Sequence, residues 1–151
     1  MKNCKTPSVI MIHHTAVSYK LNEDQLQANN RYHKRKWGFI SSLGYYLGYN
    51  YEISKRGKVV NTRADGEVTA ACRERNLNDG RCIHIALDGN FEIERVYPYE
   101  IWALRDLLIK LCKKYNITKE HIHGHNEFSK TKCPGKNMDM NFVRGLIDPK
   151  K

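Results

Sequence analysis

The sequence predicts an α/β fold, a single domain with a central mixed β-sheet flanked by helices, and three observations lead there. Short apolar runs of strand length alternate along the chain with segments of helical periodicity, the order that builds layers of sheet and helix. At 151 residues the chain matches the size of one ordinary domain and is long enough to bury a real core. It holds no internal repeat, low-complexity tract or Pro/Gly/Ser-rich linker, and its prolines at 7, 98, 134 and 149 fall near the proposed element boundaries. One domain is therefore expected over residues 1–151, with its core from about residue 8 to 147.

The first element is the apolar run Ser8-Val-Ile-Met-Ile-His13 after Pro7, read as a buried strand that delivers His13 and His14 to its C-terminal end. That end is where sites in α/β sheets gather. Asn22 followed by Glu23, Asp24 and Gln25 offers an N-cap, an acidic first turn and a capping-box partner, so a helix is expected from about Glu23 to Lys36. Its closing His33-Lys-Arg-Lys36 suits the negative end of the helix dipole. Gly48 to Ser54 and Val59 to Thr62 read as two strands joined by a glycine-containing turn at Lys55-Arg-Gly-Lys58. Strand alternation then puts Tyr49, Tyr51 and Ile53 on one face.

Cys82 to Leu87 is apolar enough for a central strand and ends at the Asp88-Gly-Asn90 turn. Pro98 opens the clearest helix, in which Ile101, Leu104, Leu108, Leu111 and Cys112 recur at helical spacing to about Tyr115. His121-Ile-His-Gly-His125 is strand-like. A loop then reaches Cys133-Pro-Gly, and a short terminal helix covers about Met140 to Ile147.

The chain carries 26 Lys and Arg against 16 Asp and Glu, a net charge of +10. Such a charge draws a protein toward polyanions, but nucleic acid, anionic lipid and the anionic polymers of a bacterial wall all satisfy it. The tyrosines and lysines do not interleave in a base-stacking motif, so nucleic acid is not the expected partner. The longest apolar stretch near the start, Val9 to Ile12, is too short for a signal-peptide core or a membrane span, so cytoplasmic residence without membrane insertion is expected. Five cysteines, at 4, 72, 82, 112 and 133, form no regular disulfide framework and leave at least one thiol for other work.

Zinc sites are built from imidazole nitrogen and thiolate sulfur, and a catalytic site uses three protein ligands so that a fourth position stays open. The sequence offers such a set in His13 at a strand end, His125 after a strand-like segment, and Cys133 just before a Pro-Gly turn. Spacing does not choose between His13 and its neighbour His14. A lone histidine is often a hydrogen-bonded packing residue and a lone cysteine a small hydrophobe, so it is the combination that carries weight.

His13-His14-Thr15-Ala16, Gly48-Tyr49-Asn50-Tyr51, and Gly124-His125-Asn126-Glu127 with Thr131-Lys132-Cys133-Pro134-Gly135 together resemble the N-acetylmuramoyl-L-alanine amidases, the family of phage lysozymes and peptidoglycan recognition proteins. The motifs run in the same order from about Val9 to Ile147. Tyr32-His33-Lys34 before Trp37 is similar to the helix end of the phage members. The resemblance implies an amidase-like fold and Zn²⁺ held by His13, His125 and Cys133. It also implies hydrolysis of the amide bond between N-acetylmuramic acid and L-alanine in bacterial peptidoglycan.

By the same resemblance Tyr49 is the active-site tyrosine and His14 only a neighbour, while His121 and His123 lie outside the ligand set. Thr131 stands where phage relatives carry a catalytic lysine, with lysines at 130 and 132 instead. Cys72 falls where many relatives have a histidine. No carboxylate is assigned as a general base. A catalytic domain of this kind suits a phage-type endolysin, monomeric, held in the host cytoplasm until it is released to the wall. Two other readings fit less well. A non-catalytic peptidoglycan-binding module would not need Cys133 and Tyr49, and a basic nucleic-acid-binding protein rests on charge alone.

Overall fold

The computed structural model describes residues 5–18 and 25–149. Its elements in chain order are β1 (Val9–His14), α1 (Gln25–Lys36), β2 (Tyr51–Ile53), β3 (Val59–Asn61), β4 (Cys82–Leu87), α2 (Pro98–Tyr115), β5 (Ile122–Gly124) and α3 (Met140–Gly145). The strands form one sheet in the order β3-β2-β4-β1-β5. β1 is parallel to β4 and β5, β2 is parallel to β4, and the β2–β3 hairpin is antiparallel. The expected mixed sheet is thus present. Its central strands are covered on both faces, which is why VIMIHH and CIHIAL are continuous apolar runs rather than alternating ones.

The period of two along β1 assigns the faces. Ile10 and Ile12, with Ile83, Ile85 and Leu87 of β4, join the main core against Leu104, Leu107, Leu108 and Leu111 of α2 and Met140 and Val143 of α3. Met11 and Cys82 point the other way into a smaller cluster with Leu77. His13 continues the Met11 side and His14 the Ile12 side. Each fully buried leucine of α2 contributes about 1.5–3 kcal/mol from removal of apolar surface from water.

Local signals set the limits of α2. Pro98 sits in the first turn, where its missing N–H costs nothing, and the Glu100 carboxylate accepts the Tyr97 N–H at 3.4 Å. Asn116 closes the helix in the left-handed region at φ 57°. The N-cap expected at Asn22, and the turn through Asp24, lie outside the described residues. The terminal helix is shorter than expected, ending at Gly145, and starts at an N-cap that the sequence reading passed over: Asp139 accepts the N–H groups of Asn141 and Phe142.

One expectation is corrected. Tyr49 does not share a face with Tyr51 and Ile53. The strand starts only at Tyr51, and residues 48–50 form a bend. Tyr51 joins the α2-side core, whereas Tyr49 stacks beside His13 and His33. The cause is Asn50, whose backbone N–H bonds His84 O at 2.9 Å while its side-chain oxygen accepts His84 N–H at 2.8 Å. Asn50 is therefore spent bridging to β4, and the alternation breaks at that residue.

Candidate functional site

Parallel pairing brings the C-terminal ends of β1 and β5 together at one end of the sheet. β1 ends at His13-His14, and β5, paired to it through Ile12↔Gly124, runs directly into His125. A short 3-10 turn, His125–Glu127, begins there, with the Glu127 carboxylate accepting Gly124 N–H at 2.7 Å. Gly124 keeps the approach close: a Cβ there would lie 3.0 Å from Met140 Cγ and 3.2 Å from Pro134 Cδ.

The loop carrying Cys133 folds back onto β1, as the Pro-Gly turn predicts. Gly135 adopts φ +100° and its N–H bonds Lys132 O at 2.6 Å. Cys133 Sγ accepts the backbone N–H of His14 at 3.4 Å and lies 3.6 Å from His13 Nδ1. The His13 and His125 rings are 4.7 Å apart. One ligand atom each from His13, His125 and Cys133 falls within 4.8 Å of the others. The three residues singled out in the sequence are thus brought together. His14 is not part of that group: its Nδ1 accepts Phe91 N–H at 3.1 Å, holding the loop after β4.

Burial governs the charge of this cluster. It pushes His13 well below the ordinary histidine range, helped by nearby His84, His125 and His14, and it lowers His14 and His125 as well. It pushes the Cys133 thiol up to about 12, against the help of the His14 N–H. The imidazoles are therefore neutral and able to donate lone pairs, while the thiol ionises near neutral pH only beside a cation. Both ring nitrogens of His125 are buried with no hydrogen-bond partner among the described residues. Such orphaned nitrogens are costly unless something occupies the space they face. Two imidazoles and one thiol, with an open side, match the donor set of a three-ligand zinc site.

The cluster opens into a cleft of about 540 Å³ lined by Tyr49, Thr131 and Lys132 as well as the three residues above. Tyr49 packs on His13 at 5.2 Å between ring centres. Burial, then the neighbouring Cys133, Glu52 and Asp88, raise its phenol far above the ordinary range, so it remains a hydrogen-bond donor. His33 of α1 fixes that tyrosine: its Nδ1 accepts Gly48 N–H at 2.9 Å, and its ring lies 5.5 Å from Tyr49 and 4.6 Å from Trp37. Burial lowers His33 to about 4, consistent with an accepting nitrogen. Thr131 is exposed on the cleft rim, and its Oγ1 accepts the Cys133 N–H at 3.3 Å. Lys132 lines the same cleft, whereas Lys130 does not.

The other residues considered in the sequence fall away from the cluster. His123 pairs with Glu127 at 3.6 Å and meets the Phe128 ring edge to face, and His121 is exposed. Cys72 is half-buried beside Glu74 and Asn78, lines a second depression next to His125, and is raised to about 11 by burial. Cys72, Cys82, Cys112 and Cys133 are free thiols. One residue escaped the sequence reading altogether. His84, in the middle of β4 and fully buried, places Nδ1 2.9 Å from His13 Nε2 and Nε2 2.7 Å from Leu77 O. The only hint was a histidine inside an otherwise apolar strand. No described helix is long and apolar enough to cross a membrane.

Comparison with known proteins agrees with this fold. The family model of N-acetylmuramoyl-L-alanine amidase matches residues 3–136. Among solved structures, the N-acetylmuramoyl-L-alanine amidase LysC from Clostridium intestinale is 28% identical, with a TM-score of 0.76 over 96% of this chain and 87% of that one. The Ph2119 endolysin of a Thermus scotoductus bacteriophage is similar in fold, at 23% identity and a TM-score of 0.74, over 95% of this chain and 86% of that chain. The Drosophila peptidoglycan recognition protein SD shares the fold at 24% identity and a TM-score of 0.72, over 89% and 78% of the two chains. A comparison with curated proteins gives no match.

Proposed function

The chain belongs to the N-acetylmuramoyl-L-alanine amidase family, and from that premise we propose that it is a zinc-dependent, endolysin-type enzyme. Its substrate is the amide bond joining N-acetylmuramic acid to L-alanine in bacterial peptidoglycan. The observation that carries the reading is the convergence of His13, His125 and Cys133 ligand atoms within 4.8 Å, with both His125 nitrogens buried and without a hydrogen-bond partner among the described residues. These three residues would hold the ion. When bound, zinc supplies Lewis acidity toward the scissile carbonyl and makes water a usable nucleophile near neutral pH.

The remaining work falls to side chains of the chain itself. Tyr49, locked against His13 and kept as a phenol by burial, donates a hydrogen bond to the oxygen on which negative charge develops. A donor placed in this way is worth about 2.7–4 kcal/mol of transition-state stabilisation. Thr131 holds the Cys133 backbone through its Oγ1 and presents its hydroxyl on the cleft rim beside Lys132. The groove beyond Tyr49, lined by Tyr32, His33, Lys36 and Trp37, offers aromatic faces and positive charge to an anionic stem peptide. The net charge of +10 concentrates the protein on an anionic wall.

Metal analysis of the purified protein, run beside release of new L-alanine amino termini from purified wall, tests the proposal. One equivalent of zinc and release that stops with chelation are expected. Cys133→Ser should lose both the metal and the activity. Full release by the chelated protein or by Cys133→Ser would overturn the zinc reading.

A further inference from the structure

We infer that His84 is a positioning residue for the metal centre: through a chain of two hydrogen bonds it fixes His13 in the one tautomer that presents Nδ1 to the ion. The inference rests on the zinc reading above and adds to it a residue outside the three ligands. A carbonyl oxygen only accepts, so the 2.7 Å contact between His84 Nε2 and Leu77 O requires the His84 proton to sit on Nε2. A neutral His84 protonated there has a bare Nδ1. The 2.9 Å contact from that atom to His13 Nε2 is then a hydrogen bond donated by His13. His13 consequently carries its proton on Nε2, and its lone pair lies on Nδ1, the nitrogen 3.6 Å from Cys133 Sγ.

The order of the contacts matters. A cation bound at Nδ1 draws electron density from the ring and strengthens the Nε2–H donor, which then needs a partner at full burial. His13 is 1% exposed and His84 0%, so water does not substitute. Two neighbours keep His84 in place. Its backbone N–H is held by Asn50 Oδ1 at 2.8 Å, and its acceptor carbonyl is set by the loop at 69–80. In that loop Leu77 N–H bonds Glu74 O at 2.9 Å, and Asn78 ties Cys72 O, Ala71 N and Thr69 together.

The same loop reaches the other side of the site, where Ser129 donates to Glu74 Oε2 at 2.6 Å just before the Cys133 turn. Residues 69–80 therefore brace His13 through Leu77 and His84, and the cysteine loop through Glu74. A histidine packed in β4 for bulk alone would not need both ring nitrogens in hydrogen bonds. An apolar residue would fill the space, as Ile83 and Ile85 do on the other face.

Zinc competition against a chromophoric chelator tests this on the metal-free protein and on two variants. His84→Leu removes the acceptor and should weaken zinc 10–100-fold and distort the cobalt(II) spectrum of the thiolate-bound site. His84→Asn returns an acceptor oxygen near the Nδ1 position and should recover most of that loss. A third measurement does not depend on either variant folding: ¹⁵N NMR of imidazole-labelled wild type should show His13 protonated on Nε2. Equal zinc affinity in wild type and His84→Leu, or a His13 proton on Nδ1, overturns the inference. Wild type that binds no zinc while His13 shows the Nε2 proton sinks the zinc reading and leaves the tautomer assignment standing.

Discussion

Gly135→Ala is the sharpest probe of how the cysteine ligand is placed. Gly135 adopts φ +100° two residues after Cys133, a conformation that costs an L residue about 1–2 kcal/mol. A Cβ built there would sit 2.5 Å from Phe91 C, 2.8 Å from Phe91 O and 2.9 Å from Glu92 N. These are backbone atoms, which cannot rotate aside, so the two segments must separate by roughly 1 Å to reach ordinary van der Waals distance. That movement strains the bonds that join them, Asn137 N to Phe91 O at 2.9 Å and Lys136 N to Glu92 Oε2, each worth about 1 kcal/mol net. The summed cost is about 3–4 kcal/mol. Metal ligands tolerate only about 0.2 Å of error, so the displaced sulfur should also weaken zinc by tenfold or more. Thermal melting of the metal-free protein checks the first number and zinc competition the second. A variant that melts with wild type and binds zinc equally would refute the claim that this glycine seats the ligand.

Two further predictions address chemistry and stability. Tyr49→Phe should lower kcat for amide cleavage by 10²–10³ while zinc affinity stays unchanged; near-wild-type kcat would remove Tyr49 from the oxyanion role. Glu100 is fully buried, with Oε2 unpartnered among the described residues, and burial raises its carboxyl to about 8 against the opposing pull of Tyr97 N–H and Lys55. A raised folded-state value means that its contribution is intact below about 4.5 and is lost as pH climbs to 8, at up to about 1.4 kcal/mol per pH unit. Glu100→Gln should therefore gain roughly 3–5 kcal/mol relative to wild type between pH 4.5 and 8, and denaturation curves that stay parallel across that window would refute the assignment.

The sequence placed the elements well where their limits are local. Cys82–Leu87 and Pro98–Tyr115 have the expected ends, because one is an apolar run closed by a turn and the other is framed by proline and helical periodicity. It misplaced Tyr49 because the bend at Asn50 is imposed by β4, a strand more than thirty residues away in the chain. For the same reason the role of His84 was invisible. A histidine in a strand does not announce which carbonyl and which imidazole will lie on either side of it. The convergence of His13, His125 and Cys133 depends on β1 pairing with β5 and on a loop closing over both, facts that spacing suggests and only the fold supplies. Motif resemblance chose His13 over His14, and the parity of β1 gives that choice its physical reason: His14 turns toward Phe91 on the core side, and His13 toward His84 and Cys133.

That parity also explains how the chain tolerates a hollow, ligand-rich site. Burial penalises charge, and the residues meeting at the strand ends, imidazoles and a thiol, can all be neutral there. The nearby carboxylates have partners of their own. Glu52 bonds Asn29 of α1 at 3.2 Å, and Glu92 on the cleft wall accepts Lys136 N–H. A divalent cation bound through a single thiolate would leave its three-ligand shell with one net positive charge, in a cleft lined by Tyr49, Lys132 and Glu92. Negative charge builds on a carbonyl oxygen during amide hydrolysis, so such an environment favours the transition state over the neutral ground state. A carboxylate in place of Cys133 starts from a value of about 4 and would be neutral at pH 7 only if burial raised it by about three units, the kind of shift that Glu100 shows and that lowers folded stability as pH rises. The protonated thiol defers that cost until the cation is there to offset it.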